Sequence, residues 1–224
     1  MIITQKILEI LFPPTCFGCR KYNKNYLCEN CWSKIEINKT VFFPDNRSQY
    51  ILAAATDYKS PVVQNLIQDF KYNFLTSALE PIKRILDVYF ENCLPSEALL
   101  KLGKFIVVPI PLSKKRFRER GFNQAELIAK YVAEKFNLPV VKDVLIKIKD
   151  SPKQSEAKNW DERLKNIEDC FAVQKSELIA GKNIILVDDV FTSGATINEA
   201  VKKFIPSQGV NFKIIVVVVA RAGR

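Results

Sequence analysis

The sequence predicts an α/β protein: a mostly parallel sheet flanked by helices, preceded by a small four-cysteine module. Three observations carry this. The runs "KFIVVPIPL", "NIILVD" and "KIIVVVVA" are continuously apolar rather than alternating, as strands covered on both faces are. Segments of helical spacing separate these runs, which leaves parallel pairing through crossovers as the natural topology. Four of the six cysteines crowd the first 40 residues, where periodicity is scarce. We therefore expect two units, 1–40 and 41–224.

In chain order, Ile7 to Leu11 reads as a short packed helix. The apolar stretch from Ile2 to Phe12 lacks a clear basic flank and a small-residue cleavage site, so it does not read as a signal peptide. No segment approaches the roughly 20 apolar residues of a membrane span, and a cytoplasmic location is expected. Cys16-Phe-Gly-Cys19 and Cys28-Glu-Asn-Cys31 form two CxxC hooks separated by eight residues. Two hooks supply the four-sulfur tetrahedron of structural Zn²⁺, and four thiolates leave no position open for catalysis. Two disulfides fit poorly with a chain that shows no export signal; a redox CxxC is the remaining alternative. Tyr26 and Trp32 are expected to pack on this knuckle, while Cys93 and Cys170 read as small core residues.

Gln49 to Thr56 reads as a strand, followed from Pro61 by a helix with Val62, Val63, Leu66, Ile67 and Phe70 on one face. A second helix spans about Ala78 to Phe90, with Ile82, Ile85, Leu86 and Tyr89 inward. After "KFIVVPIPL" comes a loop crowded with Lys114, Lys115, Arg116, Arg118 and Arg120, which enters a helix running from Asn123 to Phe136. Asn123 can cap that helix, and its first amides would face an anion. A diphosphate site and a solvated basic turn fit this loop about equally well. Phe117 and Phe122 suit either base stacking or anchoring of the loop. "LPVVKDVLIKIK" is strand-like, in one or two pieces. Residues 150–160 are polar and contain Pro152, so a mobile loop is expected there, with Asn159 capping a short helix and Arg163 and Asn166 on one helix face.

In the stretch "ILVDDVFTSGAT", Asp188 and Asp189 stand where the strand is expected to leave the sheet. Thr192, Ser193, Gly194, Ala195 and Thr196 then form a tight turn into a helix at 195–205. Hydroxyls and amides at a helix N-terminus cradle a phosphate. Adjacent carboxylates would grip the hydroxyls of an attached sugar, or a divalent ion. No G-x-x-x-x-G-K-[ST] accompanies the acids, so they are not the second half of a nucleotide triphosphatase site. The chain has 34 Lys and Arg against 24 Asp and Glu, a net charge of +10, which favours anionic partners. It contains no histidine, which excludes histidine bases, triads and histidine metal ligands.

The motif "ILVDDVFTSGATI" resembles the phosphoribosyl diphosphate (PRPP) motif of type I phosphoribosyltransferases. Together with "CFGC", "CENC", "DFKYN", "VPIPLSKKRFRERGFNQAELIA" and "KQSEAKNWDERLKNIEDCF" in this order, the chain resembles the ComF family almost end to end. These are amidophosphoribosyltransferase-like proteins linked to DNA uptake in natural transformation. The resemblance implies the type I phosphoribosyltransferase fold, with Mg²⁺ accompanying PRPP. It places ribose hydroxyls on Asp188 and Asp189, which are also the implied catalytic residues, and the 5-phosphate on Thr192–Thr196. It puts the diphosphate near Lys114, Arg116 and Arg120, and a catalytic mobile loop around Lys153, Gln154, Arg163 and Asn166. Lys71 matches a family lysine without an assigned role. The chain departs from the family's mobile-loop pattern with the lysines of "KIKDSPKQSEAKN". Implied partners are single-stranded DNA and a helicase-like competence protein. The competing readings are a non-catalytic nucleic-acid adaptor with a regulatory PRPP pocket, and nucleotide salvage, which the lack of a recognisable nucleobase hood disfavours.

Overall fold

A computed structural model of the 224-residue chain describes residues 13–44, 49–72, 76–94, 103–149, 168–208 and 212–222. Its centre is a four-stranded, wholly parallel sheet in the order β1-β6-β5-β2. The strands are β1 (Ile51–Asp57), β2 (Phe105–Pro109), β5 (Asn183–Phe191) and β6 (Ile214–Arg221). A two-stranded antiparallel ribbon, β3 (Leu145–Lys147) and β4 (Phe171–Val173), stands apart from it, so "LPVVKDVLIKIK" does divide in two: Val140 bridges β2 and Leu145–Lys147 joins the ribbon. The longer helices are α2 (Pro61–Tyr72), α3 (Leu79–Cys93), α5 (Gln124–Phe136) and α6 (Ala195–Gln208), with the single-turn α1 (Glu29–Trp32) in the cysteine module and α4 (Lys114–Arg120) between β2 and α5.

The central strands are buried on both sides, as their unbroken apolar runs predict. Side chains alternate between two cores at the strand period of two. Ile185, Val187, Ile215 and Val217 join the core with α2, α3 and α5. Ile184, Leu186, Ile214 and Val216 join the opposite core with α6 and the β3–β4 ribbon. The β1 edge is not left open: antiparallel bridges Ile37–Thr56 and Phe42–Leu52 lay the chain after the cysteine module along it. Cys16, Phe17, Leu27, Cys31 and Ile35 share the first core with α2 and α3, so the module is continuous with the sheet's packing.

Two expectations need correction. The basic stretch after β2 is not a loop. Ser113 accepts a hydrogen bond from the Arg116 N–H at 3.3 Å as N-cap, and Gly121 closes the helix in the left-handed region at φ 74°. Between these signals lie good helix formers, and their charge does not prevent about two turns. Second, the aspartates do not end their strand. β5 continues to Phe191, paired with β6 through Phe191–Arg221, because β6 is long and its backbone ladder is indifferent to side-chain charge. Pairing with β2 does stop, at Pro109–Val187, immediately before Asp188. The expected helix at Ile7 to Leu11, the Asn159 cap and the 150–160 segment lie outside the described residues.

Candidate functional site

A cleft opens at the carboxyl ends of β5 and β2, where ligands of parallel sheets bind. Asp188 and Asp189 line it with Thr192, Gly194, Ala195 and Thr196, and so do Arg116 and Arg120 from α4. The two arginines are four residues apart, on one face of α4. Lys114 lies on another face and lines a separate shallow surface with Leu112, Phe117 and Arg118. The Ser193 hydroxyl accepts from the Ala195 N–H at 3.4 Å, so it caps α6 instead of lining the cleft. Gly194 is required where it stands: its φ is +76°, and a Cβ there would lie 2.7 Å from the Phe191 ring. Of the two phenylalanines in the basic region, Phe122 packs on Phe70 with ring centroids 5.7 Å apart, while Phe117 is exposed. Lys153, Gln154, Arg163 and Asn166 lie outside the described residues.

The cleft also contains residues that the sequence did not place there. Lys71, in the last turn of α2, reaches across to Asp189, with Nζ 2.7 Å from Oδ1. Lys147 at the end of β3 and the buried Phe171 at the start of β4 form part of the wall. Tyr58 follows β1 into it. Signals for these were faint. "DFKYN" marked Lys71 by resemblance only, and the spacing of α2's apolar residues does not say where its last turn arrives.

Electrostatically the aspartates are unequal. Burial first, and the neighbouring Asp189 charge second, push the Asp188 carboxyl up to about 7, against the opposing pull of Lys71, the Asp189 N–H and Lys147. Burial works to lower Lys71, but the Asp189 charge and hydrogen bond outweigh it, so the ammonium is held above its usual range. Lys71, Arg116, Arg120 and Lys147 face the two carboxylates, so the cleft has an excess of positive charge. Arg120 is itself positioned, donating to Gln124 Oε1 at 3.1 Å and lying 5.1 Å above the Tyr72 ring.

The four hook cysteines come together away from the cleft, their sulfurs all within 4.8 Å of one another. Cys28 Sγ is 3.7 Å from Cys16 Sγ and 3.8 Å from Cys19 Sγ. A tetrahedron with Zn–S bonds of about 2.3 Å has edges of about 3.8 Å, so the donors fit the ion. Burial alone would raise the Cys16 thiol, yet backbone N–H groups of Cys19, Cys28 and Gly18 bring it down to about 6, while burial and the neighbouring sulfurs push Cys31 up to about 12, a rise that the charge of a bound cation would oppose. Tyr26 stacks on Phe17 of the first hook, as expected, while the Trp32 ring is covered by the Arg84 guanidinium of α3, 3.9 Å away. Among the described residues no helix is long and apolar enough to cross a membrane.

Residues 123–224 match the phosphoribosyl transferase domain, and residues 7–41 match the double zinc ribbon domain. The ribbon match and the four-sulfur cluster support a structural zinc. The chain is 28% identical over 220 residues to the protein named competence protein ComFC of Bacillus subtilis, covering 89% of this chain and 82% of that one. It is 27% identical over 197 residues to competence protein F of Haemophilus influenzae, covering 84% and 82%. It is 39% identical over 114 residues to competence protein ComFC of Streptococcus pneumoniae, covering 51% and 47%. With the parallel sheet, the cysteine knuckle and both domain matches in agreement, the chain is a ComFC-like protein built on the phosphoribosyltransferase fold.

Proposed function

We propose that the cleft binds PRPP with Mg²⁺, and that the chain is a phosphoribosyltransferase-like protein acting in natural transformation, with units at 1–40 and 41–224. One observation carries the reading: two carboxylates, a hydroxyl-bearing turn at a helix N-terminus and four cations line the same cleft. A sugar carrying phosphate at both ends meets all three. Asp188 and Asp189 accept from its hydroxyls, the Thr192–Thr196 turn and the first amides of α6 hold the 5-phosphate, and Arg116, Arg120 and Lys147 face the diphosphate. Carboxylate and phosphate oxygens are the hard donors that suit Mg²⁺, which when bound offsets leaving-group charge. Lys114 stands outside this set, on the outer face of α4. Lys153, Gln154, Arg163 and Asn166, the mobile-loop residues that the resemblance implies, lie outside the described residues. The competence names of the relatives motivate the role in transformation.

In the transferase reaction the ribose C1–O bond to diphosphate breaks, its electron pair leaves with the diphosphate, and an acceptor atom bonds to C1. The chain's residues contribute positioning and charge: the arginines and Lys147 stabilise the departing anion, and the aspartates stabilise the positive ribosyl centre. Calorimetry with PRPP and Mg²⁺ tests the reading. Wild type is expected to bind, and Asp189→Asn to lose about 2 kcal/mol, roughly thirty-fold in affinity. Absence of binding by wild type would refute it. Diphosphate release with a panel of bases and with single-stranded DNA then identifies the acceptor.

A second reading, an adaptor for single-stranded nucleic acid, is favoured by the exposed Phe117 between Lys114 and Arg118 on the outer face of α4. Aromatic rings flanked by cations bind single strands by stacking and phosphate contact. Anisotropy with oligothymidylate should show affinity falling steeply with salt; absent or salt-insensitive binding rules it out.

A further inference from the structure

One buried polar side chain places its hydrogen bonds on two elements that carry cations into the cleft. Gln124 opens α5 and is only 1% exposed. Its Nε2 donates to the Phe70 carbonyl at 3.2 Å and to the Lys71 carbonyl at 3.5 Å. Both carbonyls belong to the last turn of α2, where helix geometry supplies them no partner. Its Oε1 accepts from Arg120 Nη1 at 3.1 Å. The amide fits in this sense only: turned over, its oxygen would face two carbonyls and its NH₂ a guanidinium. An apolar side chain of similar length would fill the same space without the cost of burying an amide, so packing alone does not ask for glutamine.

We infer that Gln124 is a positioning residue for the diphosphate end of the cleft, fastening the Arg120 guanidinium to the last turn of α2 so that it meets the anion already oriented. The inference rests on the PRPP reading. Arg120 needs such a restraint, because it ends α4, a helix with no buried residue. A long side chain left free there loses rotamer freedom on meeting an anion, and that loss subtracts from affinity. Charge decides why the restraint is an amide. Lys71 and Arg120 both line the cleft, and like charges repel. A carboxylate in place of Gln124 would spend the Arg120 charge on itself, whereas a neutral amide holds the guanidinium and leaves its charge for the ligand. Tyr72, the last residue of α2, completes the seat with its ring 5.1 Å from Arg120. α2 itself has other anchors: Arg20 pairs with the buried Asp69, and Phe70 is fully buried in the core. Loss of Gln124 therefore frees the arginine rather than the helix.

The test separates the two ends of the donor. Affinities for inorganic diphosphate and for ribose 5-phosphate are measured by calorimetry in wild type, Gln124→Met, Arg120→Met and the double variant. Gln124→Met is expected to weaken diphosphate binding about tenfold and ribose 5-phosphate binding by less than about twofold. In the Arg120→Met background the same substitution should change diphosphate affinity by less than about twofold, because the group it acts through is gone. A merely structural glutamine would give equal losses for both ligands or equal losses in both backgrounds; either result overturns the inference, as does no loss at all. If Gln124→Met fails to fold, the side-chain amide resonances of Gln124 in wild type decide instead. They must shift on adding diphosphate, with the dissociation constant that calorimetry reads, and stay in place with ribose 5-phosphate; resonances that ignore diphosphate overturn the inference. Wild type that binds diphosphate but not PRPP refutes the PRPP reading alone, since the Gln124 comparison still reports on the arginine. Wild type that binds neither overturns both.

Discussion

Adding one methyl group at Gly18 should dismantle the cysteine knuckle. Gly18 lies inside the first hook, and a Cβ on it would sit 2.6 Å from Cys31 Sγ and 2.8 Å from Cys31 Cβ. Ordinary contact begins at 3.4 Å, so hook and sulfur must part by close to an ångström. Val62 of α2 stands 3.3 Å from the same point, which leaves the methyl no free direction. Thiolate–zinc distances tolerate only about 0.2 Å, so Cys31 leaves the tetrahedron. Structural zinc sites are worth about 10–16 kcal/mol over four ligands, so losing one costs about 2.5–4 kcal/mol, two to three powers of ten in zinc affinity.

The damage should spread, because Cys16, Phe17, Leu27 and Cys31 are part of the core shared with α2 and α3. For a chain of this size the loss corresponds to a fall in unfolding midpoint of roughly 5–15 °C. Competition with a chromophoric chelator measures the affinity, and thermal unfolding with and without chelator measures the linkage. Gly18→Ala retaining zinc at wild-type affinity, with an unchanged midpoint, would refute the reasoning. So would a wild-type chain whose midpoint ignores chelator.

Two further outcomes follow from the cleft. Asp188 has a folded-state value of about 7 against an ordinary 3.8, so the folded state binds the extra proton. Its contribution to stability falls as pH rises between those values and is level above them. Asp188→Asn should therefore raise the unfolding midpoint of the ligand-free protein at pH 8 and change it little at pH 4; parallel curves across that range, read by scanning fluorimetry, would contradict the assignment. Ser113→Ala removes the cap of α4 and should cost about 1 kcal/mol. Because α4 carries Arg116 and Arg120, affinity for inorganic diphosphate should fall several-fold in titration calorimetry, and an unchanged affinity would show that the helix is held by other means.

The sheet was legible because "NIILV" and "KIIVVVVA" are short, apolar and rich in β-branched residues, as strands buried on both faces are, and α2, α3 and α5 because their apolar residues recur at helical spacing. α4 was missed for an identifiable reason: the density of Lys and Arg read as a basic loop, although Ser113 and Gly121 bounded a helix. The acidic end of the site was legible, since Asp188 to Thr196 is one contiguous stretch. Lys71 and Lys147 were not legible as site residues. Each reaches the cleft from an element distant in sequence, and which turn arrives there depends on how α2 and the β3–β4 ribbon lie against the sheet.

Continuity also hides what makes the aspartates available. Successive residues of a strand face opposite sides of its sheet, so two adjacent acids on a fully paired strand would be divided between its two cores. Both line the cleft here because β2 is shorter than β5. Ile110 still donates to the Val187 carbonyl at 2.9 Å. Pro111 follows, and with no N–H it cannot continue the ladder. From Asp188 onward β5 keeps its register with β6 on one side, and on the other it borders the cleft walled by Ile110, Pro111 and Leu112. The acids thus keep the rigidity of a strand while facing a ligand space. The "PIPL" that ends β2 is therefore as much a part of the site as the carboxylates it exposes. Pro111 acts by stopping a neighbouring strand one residue short of the acids.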